Sequence, residues 1–505
     1  MKRNIALIMI ITLFTKFLGF GRQMALTYFY GVSATSDVYL IAQTIPTTIF
    51  ALVGTGLATT FIPIYNKVQK EKGEERAHHF TSNVMNITVI ITVIIIALVQ
   101  LFTPQIVMLF ASGFRGEKTL EMAVAFTRIS VFGITLSGLI YIMNAYLQLK
   151  GDFIIPAMIS LPMNLVLIFS FYLAYNTSDV ILAYGIVASI LIQLIFILPS
   201  VIRHSLKYKL VLDFKDVYLK EMLMLSIPVV IGTSVNELNV IVDRSIASNV
   251  VVGGISALSY ANMLNILIHG LFVAPIVTVI YPDISNKVIN KDFMGLQRTI
   301  NNSIVYISLL VIPATVGIMV LARPIIELLF LRGEFDAIAA AMTAQALFYY
   351  SIGMYSSSLR QIFSRVFYSY KDTKTPTINA MTGVTVNIIL NVILSRFMGI
   401  AGLALATSIS ATVTTYLLIR SLRRKVTHFG LKPTVAKVLR VLFASSVMGV
   451  VSYLLFYGTD LGLSSNLTLI LTVVVSGSVY VVMILLLRID EVKHMITMVK
   501  NALSR

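Results

Sequence analysis

Apolar stretches long enough to cross a membrane recur from one end of this chain to the other. A helix of about 20 apolar residues spans the hydrocarbon core of a bilayer. Of the 505 residues, 57% are hydrophobic, which is more than a soluble fold requires. We therefore predict an all-α polytopic membrane protein with about 14 transmembrane helices. The predicted spans cover residues 5–29, 38–65, 82–102, 122–148, 154–175, 179–202, 223–248, 254–282, 299–321, 337–368, 377–395, 400–420, 436–457 and 466–487.

The basic residues of the loops predict the orientation of these spans. Of the 39 lysines and arginines, 28 fall on the side of the membrane that also holds both termini, and 5 fall on the other side. Because cytoplasmic loops are enriched in lysine and arginine, we predict that both termini are cytoplasmic. The net charge of +17 then follows from topology, with some attraction to anionic lipids, and does not indicate nucleic acid binding.

The sequence gives little support to enzymatic chemistry. The chain has no cysteine, which excludes disulfides, thiolate metal sites and cysteine nucleophiles. No arrangement of a nucleophile, a base and an orienting residue can be recognised. We therefore predict that the protein is not an enzyme and uses no cofactor other than an ion.

The two halves of the chain resemble each other. Three prolines of the first half match three prolines of the second half at offsets of 219 or 220 residues. Parallel repeats are a known plan of transporters, in which the substrate site lies between the repeats. The repeat predicts two pseudo-symmetric six-helix lobes followed by two C-terminal helices. The matched pairs are Pro63 with Pro282, Pro104 with Pro324, and Pro156 with Pro376.

The repeat and the loop lengths together divide the chain into five regions. The longest cytoplasmic connection mixes apolar residues with lysines, which is typical of an interfacial amphipathic helix, and a solvated linker is the alternative. The regions are an N-lobe (1–202), this amphipathic linker (203–222), a C-lobe (223–425), the last two spans (426–488) and a cytoplasmic tail (489–505).

Five charged residues lie within or beside the apolar spans that correspond across the repeat. An ionisable group at bilayer depth costs roughly 2.5 kcal/mol or more, so it normally faces a wet cavity or a partner. We therefore predict a charged central cavity. The residues are Lys16, Arg22, Asp37, Asp243 and Arg244.

A second group of polar residues indicates a cation site. Asn387 and Asn391 are four residues apart, hence on one helix face, and Thr407 lies in the next span. Together with Asp243 they supply the hard oxygen ligands that small cations prefer. The sequence thus predicts a sodium site with Asp243 as its charged ligand, and ordinary interhelical hydrogen bonding is the alternative.

Four other polar residues have simpler explanations. His78 and His79 fall in a charged loop, and we expect both to be solvated. Arg360 and Arg365 lie toward the cytoplasmic end of their span, where long basic side chains extend to the membrane surface.

Several motifs resemble those of one known family. They follow the pattern of the MurJ (MviN) lipid II flippases, and the resemblance covers essentially the whole chain. The motifs are LGFGR at 18–22, TSD at 35–37, FIP at 61–63, LFLRGEF at 329–335 and FYSYKDTKTP at 367–376. The motif at 367–376 is the most specific of the set.

This resemblance implies the multidrug/oligosaccharidyl-lipid/polysaccharide exporter fold in the bacterial cytoplasmic membrane. It implies transport of lipid II, the undecaprenyl-pyrophosphate-linked peptidoglycan precursor, to the outer leaflet, with membrane lipids and cell-wall synthesis proteins as partners. Lys16, Arg22 and Arg244 would hold the pyrophosphate by charge-assisted hydrogen bonds. Asp37 would orient a basic partner or bind sugar hydroxyls. The polyprenyl tail would lie along the last two spans, 426–488.

The chain departs from the family pattern at four positions. Lys16 stands where arginine is common, which keeps the charge. Arginines are also common near Phe50 and at Met263, where this chain is apolar, and Gln23 replaces a common acid. Arg244 would compensate for part of the lost positive charge.

Three other functions remain open at this stage. A related flippase would carry another polyprenyl-linked oligosaccharide, and a cation-coupled multidrug exporter would share the fold. The exporter would require an acidic, aromatic cavity, whereas the one predicted here is basic. A membrane scaffold could bind the lipid-linked precursor without moving it, although charges on both lobes favour alternation.

Overall fold

The computed structural model consists of helices joined by short turns. No strand occurs in its described residues, as expected where lipid cannot satisfy backbone hydrogen bonds. The described residues are 2–114, 116–426, 430–460, 462–489 and 491–492, with only the backbone described for residues 2–6, 9, 53, 58 and 432.

Seventeen α-helices and one π-helical turn are found in these residues. They are α1 (Lys2–Tyr30), α2 (Ala34–Leu101), α3 (Thr103–Phe110), α4 (Glu117–Ser130), α5 (Gly133–Leu149), α6 (Ile154–Met158), α7 (Ser160–Asn176), α8 (Val180–Arg203), α9 (Val217–Val250), α10 (Gly254–Ile268), the π-helical turn (His269–Val273), α11 (Ala274–Ile289), α12 (Phe293–Phe330), α13 (Ala337–Ser369), α14 (Lys374–Met398), α15 (Ile400–Lys425), α16 (Lys432–Tyr457) and α17 (Ser465–Leu486).

The number of membrane spans is close to the prediction. Within the described residues, twelve helices are long and apolar enough to cross a membrane. The two remaining predicted spans, 5–29 and 38–65, coincide with α1 and the first part of α2, which include residues whose side chains are not described. The prediction of an all-helical polytopic membrane protein is confirmed, and the count of about 14 stays a prediction.

Helix α2 is the longest element, with 68 residues. It contains two predicted spans, 38–65 and 82–102, and the connection between them is helical as well. The helix changes direction at Gly73, where φ is 84° and ψ is 175°, a conformation that favours glycine. α2 therefore consists of two helical arms that meet at Gly73, and each arm contains one of the predicted spans.

His78 lies in this helical connection and is buried, with 5% of its surface exposed. Its Nε2 lies 3.7 Å from a carboxylate oxygen of Glu74 and 3.4 Å from the hydroxyl of Tyr146. The prediction that His78 is solvated is wrong because α5, which carries Tyr146, packs against this part of α2.

The linker between α8 and α9 is held along α2. Asn83 donates to the carbonyl of Asp213 and accepts from its N–H, both at 2.8 Å, and Asn86 donates to two other linker carbonyls. Residues 204–216 form no helix, so the amphipathic helix predicted within 203–222 is wrong for this stretch. Side chains of α2 take backbone hydrogen bonds that a helix would make internally.

Contacts divide the chain into two compact units. The first unit contains residues 1–256 and 332–335, and the second contains 257–331 and 336–505. In the first unit α2 is central and packs against α4, α5 and α9. In the second, α13 packs against α12 and α15, while α16 and α17 pack against α12 and each other. The lobe boundaries inferred from the repeat stay a prediction, since these units are defined by contacts.

The sequence repeat has a structural counterpart in the turns after α5 and α13. In each turn an aspartate N–H donates to the carbonyl five residues earlier, Asp152 at 2.9 Å in the first turn and Asp372 at 3.0 Å in the second. The residue before each aspartate has a positive φ, 80° at Gly151 and 56° at Lys371. The two halves therefore build the same turn from residues 220 positions apart.

The carboxyl of Asp372 makes the stability of the folded protein depend on pH. Burial raises the pKa of its carboxyl, but hydrogen bonds from Lys425 and Thr375 outweigh burial and hold the pKa below its usual value. A carboxyl with a lowered pKa stabilises the folded state above its unfolded pKa, and that stabilisation is lost as pH falls. We expect Asp372→Asn to cost about 1–2 kcal/mol at neutral pH. The difference from wild type should begin to shrink as pH falls below about 4, the pKa of an aspartate in the unfolded chain.

Thermal unfolding of the purified protein in detergent, followed over this pH range, measures the effect. A difference in unfolding temperature that stays constant down to about pH 3 would contradict the assignment of the charge to Asp372.

Close helix packing in the second unit depends on Gly353. A Cβ added there would lie 2.5 Å from the Cα of Ser408, whose hydroxyl donates to the carbonyl of Tyr349 at 2.6 Å. Helices in lipid pack through such small residues. We expect Gly353→Ala to lower stability by about 1–3 kcal/mol, because α13 and α15 must separate.

Gly477 in α17 is the matched control, since an added Cβ there meets nothing within 4 Å. Gly477→Ala should be neutral or stabilise by up to about 1 kcal/mol through helix propensity. Thermal unfolding in detergent distinguishes the two variants, and equal effects would contradict the packing argument.

Candidate functional site

Two cations of α1 have no partner in the described structure. Arg22 is partly buried and Lys16 is exposed, and neither makes a hydrogen bond or an ion pair with a described residue. Arg22 lies within electrostatic range of the buried hydroxyl of Tyr39, which also lacks a hydrogen-bond partner among the described residues. An unpaired guanidinium with bidentate geometry is suited to a phosphate or carboxylate.

The carboxylate of Asp37 accepts hydrogen bonds from two backbone N–H groups. The side chain is 1% exposed, and its two oxygens accept hydrogen bonds from the N–H groups of Gly253 at 2.8 Å and Ser256 at 2.7 Å. A carboxylate at a helix N-terminus satisfies free N–H groups and complements the helix dipole. In this structure Asp37 therefore caps α10, and its predicted contact with sugar hydroxyls would require the cap to open.

The Asp37 cap belongs to a cluster of three turns, residues 31–33, 251–256 and 332–335, which we call the turn cluster. A Cβ on Gly253 would lie 2.3 Å from Cγ1 of Val32, so the first two turns touch. The third turn packs on the end of α1, where the N–H of Glu334 donates to the carbonyl of Tyr28 at 2.9 Å. All three turns belong to the first unit, and these contacts hold them together.

Arg244 reaches the same helix start as Asp37. Its Nη1 donates to the carbonyl of Ile255 at 3.1 Å, and it lies within electrostatic range of the Asp37 carboxylate. Asp243, the preceding residue of α9, accepts a hydrogen bond from Asn239 at 3.0 Å. The structure therefore brings Asp37 and Arg244 together, while Lys16 and Arg22 remain separate in α1.

Three of the four residues predicted to bind a cation form one network in the second unit. Asn391 donates to Oδ1 of Asn387 at 2.9 Å, and Asn387 donates to the hydroxyl of Thr407 at 3.3 Å. Asn387 and Asn391 are buried, with 2% and 0% exposure. Asp243 belongs to the first unit. The donor set is all oxygen and amide, which suits a hard cation and not a soft metal.

Near Phe50 the family pattern has an arginine, whereas this chain has an apolar side chain. The ring is 6% exposed, packs edge-on to Tyr141 at 5.1 Å and lies in a core cluster with Val131 and Ile134. A charged side chain could not replace it without loss of this packing.

A polar cluster of the second unit surrounds His269 in the π-helical turn. The ring contacts Ser357 at 3.0 Å, Ser358 at 3.4 Å and Gln361 at 3.3 Å, all on α13. π-Helical turns within α-helices are frequent at functional sites. This cluster was not predicted above, although a histidine inside an apolar span is a usable signal in the sequence.

The two arginines of α13 differ in their surroundings. Arg365 lies over the ring of Tyr281, 5.1 Å from its centroid, so its charge has an aromatic partner. Arg360 makes no hydrogen bond or ion pair with a described residue and is close enough to act electrostatically on His269.

Glu237 is a second candidate residue for the site that was not predicted from the sequence. It lies in the middle of α9, partly buried, and pairs with no described residue. Seven residues separate it from Arg244, so the two side chains lie on one helix face. An acid inside an apolar span normally marks a functional position, the rule that identified Arg22.

Comparisons with known proteins agree with this architecture. The family model described as lipid II flippase MurJ matches residues 26–483. A probable lipid II flippase MurJ of Vibrio cholerae is 29% identical over 449 residues, which cover 86% of each chain. Its counterpart in Thermotoga maritima is 29% identical over 488 residues, which cover 96% of each.

Solved structures show the same similarity. A lipid II flippase MurJ in an inward closed conformation superposes with a TM-score of 0.83 at 27% identity, covering 95% of this chain and 98% of that chain. An inward-facing multidrug resistance transporter of the MATE family gives a TM-score of 0.71 at 12% identity, covering 84% and 98%. The second similarity shows the fold alone.

Proposed function

Because this chain belongs to the lipid II flippase MurJ family, we propose that it moves lipid II from the inner to the outer leaflet of the bacterial cytoplasmic membrane, as a step of peptidoglycan synthesis. The protein is a multi-pass membrane protein and a transporter by family. The observation that carries the proposal is the unpaired Arg22, with Lys16 six residues earlier in the same helix. A pyrophosphate offers these cations a matching pair of charges.

We propose that transport proceeds by alternating access. The turn cluster supports this, because the Asp37 cap is a small set of hydrogen bonds that can break and re-form. Its position at the outer ends of the predicted spans would close the carrier on that side and leave substrate to enter from the cytoplasm. The excess of basic residues on one side supports cytoplasmic termini and this direction of transport.

The polyprenyl tail would remain in lipid along the last two spans. Helices α16 and α17 support this proposal because they expose apolar side chains, among them Val450 at 58%, Tyr453 at 57% and Val474 at 60%. The sugar and peptide would move through the polar interior, with no catalytic step. Cell-wall synthesis proteins that supply or use lipid II would be the protein partners.

We further propose that sodium couples to the return of the empty carrier. An inside-negative membrane potential favours outward movement of the anionic substrate by about 2.3 kcal/mol per charge per 100 mV. The empty carrier must then return, and a cation that moves inward with it would bias that step. The ion ligands predicted from the sequence are Asp243, Asn387, Asn391 and Thr407, and the last three form one network of the second unit. A bound cation stabilises the folded protein by about 2.7 kcal/mol at 100 times its Kd.

The sodium proposal predicts that the unmutated protein unfolds at a higher temperature in sodium than in a large organic cation. Asp243→Asn should lose most of this difference, and Asn391→Ala should lose less. Glu117→Gln, which removes a carboxylate at an exposed position at the start of α4, is the control and should keep it. Equal unfolding temperatures of the unmutated protein in both cations would remove sodium from the mechanism.

Complementation tests the main proposal. A bacterial strain depleted of its own lipid II flippase should grow when it expresses this protein. The alternative function makes a different prediction, which is growth of a strain that lacks a flippase for another polyprenyl-linked oligosaccharide. Failure in the first strain together with success in the second would replace lipid II as the substrate.

A further inference from the structure

An apolar cavity lies between the arms of α2 and the first half of α9. Its volume is about 410 Å³, and its walls are almost entirely hydrocarbon. Leu57 and Ile87 line it from α2, and Leu223, Ile227 and Ile231 line it from α9. All of these residues belong to the first unit. No residue of α1, which carries Arg22 and Lys16, contributes to it.

The length of this cavity along α9 is close to the hydrocarbon thickness of one bilayer leaflet. Its lining on α9 extends from Leu219 to Ile231, which is about 18 Å of helix. Half of the hydrocarbon core of a bilayer is about 15 Å thick. With the orientation proposed above, the cavity begins at the cytoplasmic surface and ends near the bilayer centre.

The cavity opens next to a free cation. Lys220 is exposed and makes no ion pair with a described residue, and it precedes the lining residues Leu223 and Met224 by one helical turn. Residues spaced in this way share a helix face. The neighbouring Lys67 differs, because both oxygens of Glu221 accept from it at 2.8 Å.

The linker before α9 extends this surface. Phe214 and Val217 are 58% and 73% exposed, and Lys215 between them is exposed as well. Apolar side chains interleaved with lysines are typical of a segment at the boundary between headgroups and acyl chains. The mouth of the cavity therefore lies at the depth where a lipid phosphate is found.

We infer that this cavity binds one anionic phospholipid of the cytoplasmic leaflet, with an acyl chain between α2 and α9 and its phosphate on Lys220. The inference rests on the orientation given under the proposed function. A phospholipid fits better than the tail of the substrate, because the cavity is one leaflet deep and its cation stands at the membrane surface. The substrate headgroup is assigned instead to Arg22 and Lys16 in α1.

Such a lipid would act as part of the packing of α9. Among the helices, α9 contacts mainly α2 and α3, and its remaining apolar surface is exposed. A chain seated in the cavity extends the contact of α9 with α2. Bound lipid should therefore raise the unfolding temperature of the protein, since a ligand that binds only the folded state stabilises it.

Native mass spectrometry of the purified full-length protein tests this inference, with dioleoyl phosphatidylglycerol and dioleoyl phosphatidylcholine as probes. The two lipids have the same chains and differ in headgroup charge. We expect one phosphatidylglycerol to bind about fivefold more tightly than phosphatidylcholine, from one lysine near an anionic headgroup. Lys220→Gln should remove this preference, and Lys291→Gln, at an exposed lysine of the second unit, should keep it.

A second pair of variants tests the cavity. Ile227→Trp fills it from an exposed position and should remove most of the binding of both lipids. Ile266→Trp is the matched control, since Ile266 is 62% exposed and lies in the second unit. Because both residues are exposed, neither variant should unfold the protein, and circular dichroism with thermal unfolding verifies this.

Three results would overturn the inference. They are equal binding of the two lipids to the unmutated protein, unchanged lipid binding by Ile227→Trp, and displacement of the bound phospholipid by an equimolar polyprenyl phosphate. The last would make the cavity a site for the substrate tail and leave the proposed function intact. Failure of complementation would contradict the proposed function without affecting these binding measurements.

Discussion

Arg22→Ala should abolish lipid II transport while the protein still folds and inserts into the membrane. Arg22 has no structural partner among the described residues, so its removal breaks no internal hydrogen bond. A charge-assisted hydrogen bond is worth about 1.5–3 kcal/mol, and loss of two bidentate bonds weakens binding by a factor of about 100 or more. Arg22→Lys should leave a partial defect, because lysine keeps the charge and loses the bidentate geometry.

Growth of a strain that has this protein as its only lipid II flippase measures the effect, together with membrane levels of each variant. Arg128→Ala is the matched control, since Arg128 is exposed on α4 and its side chain makes no hydrogen bond or ion pair with a described residue. Normal growth with Arg22→Ala at wild-type expression would show that Arg22 does not hold the substrate.

Closing the turn cluster covalently should stop transport completely. We expect cysteines at Ser33 and Val252 to form a disulfide, since the adjacent Val32 and Gly253 are in contact and the chain has no native cysteine. The linked protein should not export lipid II, and a reductant should restore export. Asp37→Asn should lower the yield of the disulfide, because an amide cannot accept from both N–H groups of α10 as strongly as a carboxylate.

Each single cysteine variant is the control, because it carries the same substitution without the link and should transport normally. Full export by a quantitatively crosslinked protein would show that the turn cluster does not open during transport.

Features that depend on nearby residues could be predicted from the sequence. The network of Asn387 and Asn391 follows from their four-residue spacing, which places two amides on one helix face. The repeat of 220 residues was visible in the prolines and returns in the turns at Asp152 and Asp372. Neither feature requires knowledge of how distant helices pack.

Features that depend on distant partners could not be predicted. Asp37 and the N-terminus of α10 are 216 residues apart, and no local pattern indicates that a buried acid caps another helix. The hydrogen bonds between Asn83 and the linker also join residues far apart in the chain, and they hold the linker in a non-helical conformation where a helix was predicted. His78 is buried because Tyr146 packs against it, which its charged sequence neighbours conceal.

The membership of α9 in the first unit has a consequence for biosynthesis. The repeat places the end of the first half near residue 202, but α2 lacks one of its main packing partners until α9, at 217–250, has left the ribosome. At about 5–20 residues per second, the nascent chain spends several seconds in this incomplete state. A gene divided at the repeat boundary would therefore yield an N-terminal fragment with an unfinished core. A division after the turn at 251–256 would keep α9 with α2 and would separate only residues 332–335 from the first unit.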